Sequence, residues 1–391
     1  MRVIICLLIG IFLVPFLVWA SLKTEQITMR NRVQIIDMHV HAAGIGAGGS
    51  GCYVAPKLRR NWRYKIYLKA FGVGEKELLK KGDQLVFQRI SESIQASSYV
   101  SGAVILALDG VVDKEGKLDL EQTEIYIPND FVAAETAKYP NLYFGASVNP
   151  YRRDALQRLE KVAQQGAVLI KWLPAIQGID PADKALIPFY EKLRELDIVL
   201  LTHAGDEKSF TRADPSLGDP ERLKLPLSLG VKVIAAHAAT TGKNDGEENM
   251  ARLLRMFPDY PTLYADISSL TQLNKLRYLP KLLKHHDIHD RLIYGTDFPL
   301  INTSLVSSWY FPGRLSIREM LEISLLSSPW DRDVRLKESL KVPADAFVRG
   351  NALLKIPTDG QSVIWNDNSM SENRLQQSTE GRGQGFQELK G

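Results

Sequence analysis

The chain has 391 residues, 24% of them charged, and a formal net charge of +4. This is ordinary globular composition with length for a large core. The weak positive balance, without a long Lys/Arg run, gives no basis for a nucleic-acid partner. Of the two cysteines, Cys6 lies in an N-terminal apolar segment. Cys52 would be alone in a processed chain, so an intramolecular disulfide is excluded there and the redox compartment stays unread.

Arg2 precedes an uncharged apolar stretch from Val3 to Ala20. It reads as a secretory signal peptide with Val18-Trp19-Ala20 as the cleavage site, or as an uncleaved anchor, because about 18 apolar residues just span a bilayer. Both readings place the protein outside the cytoplasm, in the periplasm or on a membrane tether through residues 3–20. At the other end, residues 358–391 turn to Asn, Ser, Gln, Gly and Glu. Such a segment buries too little surface to offset its ordering entropy, and the composition predicts a disordered tail.

Between residues 33 and 357 apolar runs alternate with helical patterns. Val33–Met38 leads into His39-Val40-His41. Ala103–Leu108 ends at Asp109, and Leu142–Val148 at Asn149. Ala167–Ile170 leads into Lys171, Ile198–Thr202 into His203, and Val231–Ala236 into His237. Thr262–Ala265 ends at Asp266, and Arg291–Thr296 leads into Asp297. Short runs rich in β-branched and aliphatic residues predict buried strands. Helices are predicted from Asn129 or Asp130 to about Lys138, over Arg153–Gln165, Asp183–Leu196 and Glu247–Met256, and from Gln272 to His286 with a bend at Pro280. Eight strands alternating with helices predict a (β/α)8 TIM barrel. An open doubly wound sheet would hold the same strands, but it would not bring the first and eighth strand ends together.

The long connection after the first strand opens with Gly44-Ile45-Gly46-Ala47-Gly48-Gly49. It formally matches G-x-G-x-x-G, but a dinucleotide site needs a helix here and an acidic residue about 20 further on. Cys52-Tyr53-Val54-Ala55-Pro56 follows instead, and the region near position 65 is basic and aromatic. A mobile active-site loop is the expectation.

His39 and His41, two apart on a strand, are expected to share a face with Asp37 one layer deeper. H-x-H alone is a weak motif. Joined to strand-end His203, His237 and Asp297, it gains specificity as a metal site. His285, His286 and His289 form H-H-x-x-H, which reads as ordinary helix-end polarity rather than a second site. Arg212, in a loop with Lys208, and Arg314 are candidate receivers of an anionic substrate by a bidentate contact, and Trp309 and Tyr310 a candidate lid. Asp109, Asn149 and Asp266 end strands on the same rim and are expected to line the pocket or orient ligands.

Four motifs carry a family resemblance: Ile-Ile-Asp-Met-His-Val-His, Leu-Leu-Thr-His-Ala-Gly, Val-Ile-Ala-Ala-His-Ala and Tyr-Gly-Thr-Asp-Phe-Pro. With Tyr264-Ala265-Asp266-Ile267-Ser268, the chain resembles the amidohydrolase superfamily, and more closely its amidohydrolase-related branch, over residues 33 to 355. The resemblance implies a metal-dependent enzyme acting on a small molecule. His39, His41, His203 and Asp297 would bind the principal divalent ion, and Asp297 would shuttle the proton. His237 would bind a second ion or hold the attacking water. Lys171 would be carboxylated and bridge two ions, or remain a cation paired with substrate or a carboxylate. Nitrogen and carboxylate donors fit Zn2+ best. The expected reaction is hydrolysis of an ester, lactone or amide; the alternative is decarboxylation or hydration of an unsaturated or aromatic acid.

Overall fold

The computed structural model describes residues 34–207 and 210–357. The expected leader or anchor, the expected tail, Val33 and Lys208 lie outside them. All eight expected strands form: β1 Ile35–His41, β2 Val100–Leu106, β3 Leu142–Ala146, β4 Leu169–Trp172, β5 Val199–His203, β6 Val233–Ala236, β7 Leu263–Asp266 and β8 Leu292–Ile293. They pair in parallel and in chain order around one sheet. Past Ile293 the chain leaves β7 and bonds to β1 instead. Met38 N–H donates to Tyr294 O at 3.4 Å, Asp297 N–H to His39 O at 2.9 Å, and His41 N–H to Phe298 O at 3.0 Å. These bonds join the first strand to the last, so the fold is a TIM barrel and the doubly wound sheet is excluded.

The apolar residues sort into two layers, as the strand period requires. Ile36, Met38, Val104, Leu106, Leu169, Val199, Leu201, Ile234, Ala236 and Ile293 form the inner cluster, joined by Leu354 and Ile356. The alternate positions, including Ile35, Val40, Ala103, Ile105, Ile170, Trp172, Leu200, Val233 and Ala265, pack outward with the helices. Parity then decides which strand ends face inward. Leu169 leads to Lys171, Leu201 to His203, and Ile293 by two steps to Asp297.

The helices are shorter than their sequence patterns: Asn129–Thr136, Ala155–Gln164, Ile187–Glu195 and Asn249–Leu254. The helix expected from Gln272 to His286 is a correction. It breaks into a 3-10 turn, Leu273–Lys275, and a short α-helix, Tyr278–Leu282. Pro280 sits in the first turn of that helix, where its missing N–H costs nothing. His286–Arg291 is a further 3-10 turn, so His285 and His289 do not share a regular helix face.

The connection from β1 to β2 holds helices Trp62–Ala70, Glu75–Lys81 and Leu85–Gln95. Its glycine-rich start is pinned, contrary to the expected mobility. The buried Asp83 carboxylate accepts from Ile45 N–H at 2.9 Å, Gly46 N–H at 2.9 Å, Ala47 N–H at 3.2 Å and Ser50 Oγ at 2.6 Å.

Candidate metal centre

Two local departures from regular strand geometry complete the inward set. The β1–β2 register shifts between Asp37 and Val40. His39 and His41 therefore face the barrel axis, although Ile36 and Met38 also enter the inner cluster. Asp37 does not share their face, which corrects the sequence expectation. Its carboxylate turns to Thr296 and to Trp330 Nε1–H, the latter at 2.9 Å. At the end of β6, alternation alone would send His237 outward. The chain instead takes left-handed φ values at His237, Ala238 and Ala239, of 56°, 48° and 49°. Such angles are costly for side-chain-bearing residues and cluster at functional sites.

Asp297 also has a left-handed φ, 63°. Its Oδ1 lies 3.0 Å from His41 Nε2 and 3.7 Å from His39 Nε2. Its Oδ2 accepts from Ser269 Oγ at 2.5 Å, and Gln272 Nε2 donates to that hydroxyl at 2.7 Å. Burial works to raise Asp297, but His237 and the hydrogen bond from His41 hold it well below the usual carboxylate range. His39, His41 and Asp297 thus offer three ligand atoms within 4.8 Å of one another.

Asp266 fixes the histidine tautomers. Its Oδ2 is 2.8 Å from His39 Nδ1, and the Ser268 hydroxyl donates to its Oδ1. Burial opposes ionisation of Asp266, but His39, His237 and Ser268 outweigh it and keep the carboxyl charged. An ionised carboxylate only accepts hydrogen bonds. His39 Nδ1 therefore carries the proton, and Nε2 keeps its lone pair. Because the Ser268 proton is spent on Asp266, His237 Nδ1, 2.7 Å from Ser268 Oγ, must donate as well. Its Nε2 is then an acceptor too. His39, His237 and Asp266 also lie within ligand distance of one another, but their contact is this hydrogen-bond network, which orients rather than ligates.

His203 packs edge-on to His237, with ring centroids 5.2 Å apart. Its Nδ1 lies 3.7 Å from Glu207 Oε2, while its buried Nε2 has no hydrogen-bond partner. Its ligand atoms fall outside the compact set of His39, His41 and Asp297. Lys171 is 1% exposed, with Nζ 2.9 Å from His39 Nε2. Burial pushes Lys171 down to about 8, against Asp266, Asp297 and Glu207. Burial and the neighbouring Lys171 push His39 down to about 4.

A divalent cation fits this donor set. His39 Nε2 has a lone pair by tautomer, Asp297 is held ionised, and His203 Nε2 is a buried orphan of the kind that a ligand explains.

The other candidates make contacts outside this cluster or stand exposed. Arg152 grips Asp109, whose Oδ2 also accepts from Asn149 N–H at 2.9 Å. Arg212 is exposed and donates to Glu121 O at 2.7 Å and Gln122 Oε1 at 3.0 Å. Arg314 is exposed. Tyr310 OH donates to Ser304 O at 2.6 Å, and Trp309 is 47% exposed. His289 Nε2 lies 3.0 Å from Leu283 O. Sequence reasoning passed over Glu207, Ser268, Ser269 and Lys275. Lys275, half-buried, acts electrostatically on Asp297, Glu207 and Asp266. The Asp-x-Ser spacing at 266 and 268 was the legible signal for the tautomer lock.

The family model for amidohydrolases matches residues 36–310, more than half of the chain. The chain belongs to the amidohydrolase family. Two solved structures share the fold of this amidohydrolase. An uncharacterised TIM-barrel protein from Bordetella bronchiseptica is 15% identical, with a TM-score of 0.53, covering 83% of this chain and 100% of its own. A Pseudomonas putida protein, whose name proposes a 2-pyrone-4,6-dicarboxylic acid hydrolase, is 15% identical with a TM-score of 0.51, covering 83% and 99%. At that identity the likeness speaks to architecture alone. Comparison with curated proteins finds no match. The amidohydrolase is thus an enzyme of the amidohydrolase superfamily with a His/Asp cluster consistent with a divalent-metal site, acting on a small molecule as the family does.

Proposed function

We propose that this amidohydrolase hydrolyses an ester, lactone or amide bond of a small organic molecule with Zn2+ as its divalent ion. The observation that carries the reading is the Asp297 carboxylate, held ionised between His41, His39 and Ser269. His39, His41, His203 and Asp297 would hold the principal ion. When bound, the ion supplies Lewis acidity and makes water acidic enough to act near neutral pH.

The protein's own groups account for the proton. Asp297 accepts it from water as the water oxygen bonds to the carbonyl carbon, and returns it to the leaving oxygen or nitrogen as that bond breaks. Ser269 keeps the carboxylate aimed during both transfers. His237 has an accepting Nε2 by tautomer, and burial keeps the ring neutral. Its role is to orient the attacking water or to hold a second ion, not to donate to the carbonyl oxygen. Lys171 enters as a carboxylated bridge or as a cation beside the substrate.

A second reading, a metal-dependent decarboxylase or hydratase, gains support from Lys275, whose charge faces the acidic centre and favours an acidic substrate. The test is a panel of lactones, esters and amides beside unsaturated and aromatic acids, assayed with Zn2+ for acid release and for CO2. Acid release lost in Asp297→Asn with the fold intact supports hydrolysis. CO2 release or hydration without any hydrolysis overturns it.

A further inference from the structure

A marked charge asymmetry lies in the connection after β1. Residues 57–81 contain nine Lys or Arg against two Glu, while the whole chain carries only +4. The rest of the chain is therefore acidic on balance, and the positive charge is concentrated in one excursion after β1. Both acidic residues of the segment are already engaged. Glu75 pairs with Arg59 at 2.7 Å and Glu77 with Lys81 at 3.2 Å. Lys57, Arg60, Arg63, Lys65 and Lys69 have no ion-pair partner among the described residues.

The helix Trp62–Ala70 sorts these groups by face. Tyr64 and Leu68 belong to the buried core cluster, at 6% and 2% exposure. Trp62, Lys65, Ile66 and Lys69 follow the i, i+3, i+4, i+7 spacing of one helical stripe, and all are exposed. Trp62 is 65% exposed and Ile66 45%. The Arg63 guanidinium lies 5.7 Å from the Trp62 ring centre. Two large apolar side chains on an outward stripe gain nothing from water, and flanking cations gain nothing from a purely apolar partner.

From this arrangement we infer that the Trp62–Lys69 stripe docks on an anionic lipid surface. Trp62 and Ile66 enter the headgroup–acyl boundary, where an amphipathic indole sits favourably. Lys57, Arg60, Arg63, Lys65 and Lys69 meet the anionic headgroups, and the lysine stems reach from the helix to the phosphate level. A nucleic acid would satisfy the cations but would leave Ile66 in water, so the lipid surface is favoured. Each basic residue near such a surface contributes roughly a fivefold factor in affinity.

The test uses the full chain carrying Cys6→Ser, with buried Cys52 retained. A nitroxide is placed at Ile66→Cys, and in a separate sample at Ser228→Cys, an exposed site between β5 and β6 on the opposite side of the barrel. Collision rates with oxygen and with a water-soluble nickel chelate are measured with phosphatidylglycerol–phosphatidylcholine vesicles. The expected result is nickel protection at position 66 and none at 228. That protection should be lost in vesicles of phosphatidylcholine alone and in the Lys65→Glu/Lys69→Glu background. Equal nickel access at both sites on anionic vesicles would overturn the inference. So would protection that ignores lipid charge, or protection at position 66 by an oligonucleotide but not by vesicles.

Discussion

Asp37 ties Thr296 to the first strand of the barrel. One carboxylate oxygen accepts from the backbone N–H of Thr296 and from that of His39, each at 3.0 Å. The other takes the Thr296 hydroxyl and Trp330 Nε1–H, the latter at 2.9 Å. Four donors from β1, the chain after β8 and an outer helix converge where His39 and Asp297 leave the seam. Gly295 lies in the same seam, and a Cβ there would stand 2.9 Å from His39 Cβ. Asp37→Ala strands these buried donors, each worth about 1–3 kcal/mol when unpaired. The expected loss is on the order of 4 kcal/mol in urea unfolding, with weaker metal uptake. A variant with wild-type stability and metal content would remove Asp37 from this role.

In the metal-free chain, stability should rise with pH between about 5 and 7. His39 is pushed from 6.5 to about 4, so the unfolded chain takes that proton first as the pH falls. Its contribution, about 3 kcal/mol, is present above pH 6.5 and lost as the pH falls toward 4. Burial drives His203 and His237 in the same direction. Asp37 works oppositely. Burial raises it from 3.8 to about 6, so its folded form keeps a proton that the unfolded chain has lost, and stability falls as pH rises through that window. Three histidines outweigh one aspartate. Urea midpoints with chelator present should therefore be lower at pH 5 than at pH 7, and Asp37→Asn should steepen the difference. A midpoint that falls with rising pH would show that the histidines are not buried neutral.

The strands and most of the inward residues were legible because a parallel barrel repeats one pattern, an apolar run and then a polar end. Lys171, His203 and Asp297 follow from parity with Leu169, Leu201 and Ile293. Asp37 was misplaced because period-two counting cannot see the register shift between Asp37 and Val40. His237 reaches the site only through three left-handed residues, and nothing in Ala-Ala-His-Ala-Ala announces them. Glu207 was missed because it sits on a loop, where position depends on tertiary contacts rather than on periodicity, and Lys275 because the helix expected over it breaks into the 3-10 turn Leu273–Lys275.

The Asp83 cradle makes a prediction about Cys52. Burial, with Asp83 adding to it and a Ser50 hydrogen bond opposing it, pushes the Cys52 thiol up to about 12. At pH 8 only about one thiol in ten thousand is then the reactive thiolate. With Cys6→Ser in place, a disulfide reagent should fail to label the native chain and should label it fully once unfolded. Asp83→Ala removes the acceptor of three backbone N–H groups and the Ser50 hydroxyl. It should cost on the order of 3 kcal/mol and make Cys52 reactive under native conditions. Fast labelling of the native wild-type loop would contradict the pinned geometry.

Lys171 can be resolved by counting. Its Nζ lies 2.9 Å from His39 Nε2, the nitrogen whose lone pair Asp266 leaves free. An ammonium there donates to that lone pair and competes with a cation for it. Carboxylation converts the same side chain into an anionic oxygen donor and removes the competition. A carboxylated lysine therefore predicts two divalent ions per chain, a native mass higher by one CO2, and metal loading that rises with added bicarbonate. Lys171→Met should then lose the second ion and most turnover. An unmodified lysine predicts one ion, no bicarbonate effect, and first-ion binding in Lys171→Met at least as tight as in the wild type, because the competing donor has gone. Native mass spectrometry with metal analysis on the wild type and Lys171→Met reads every one of these quantities. Weaker first-ion binding in Lys171→Met, without any CO2 adduct in the wild type, would contradict both accounts of this residue.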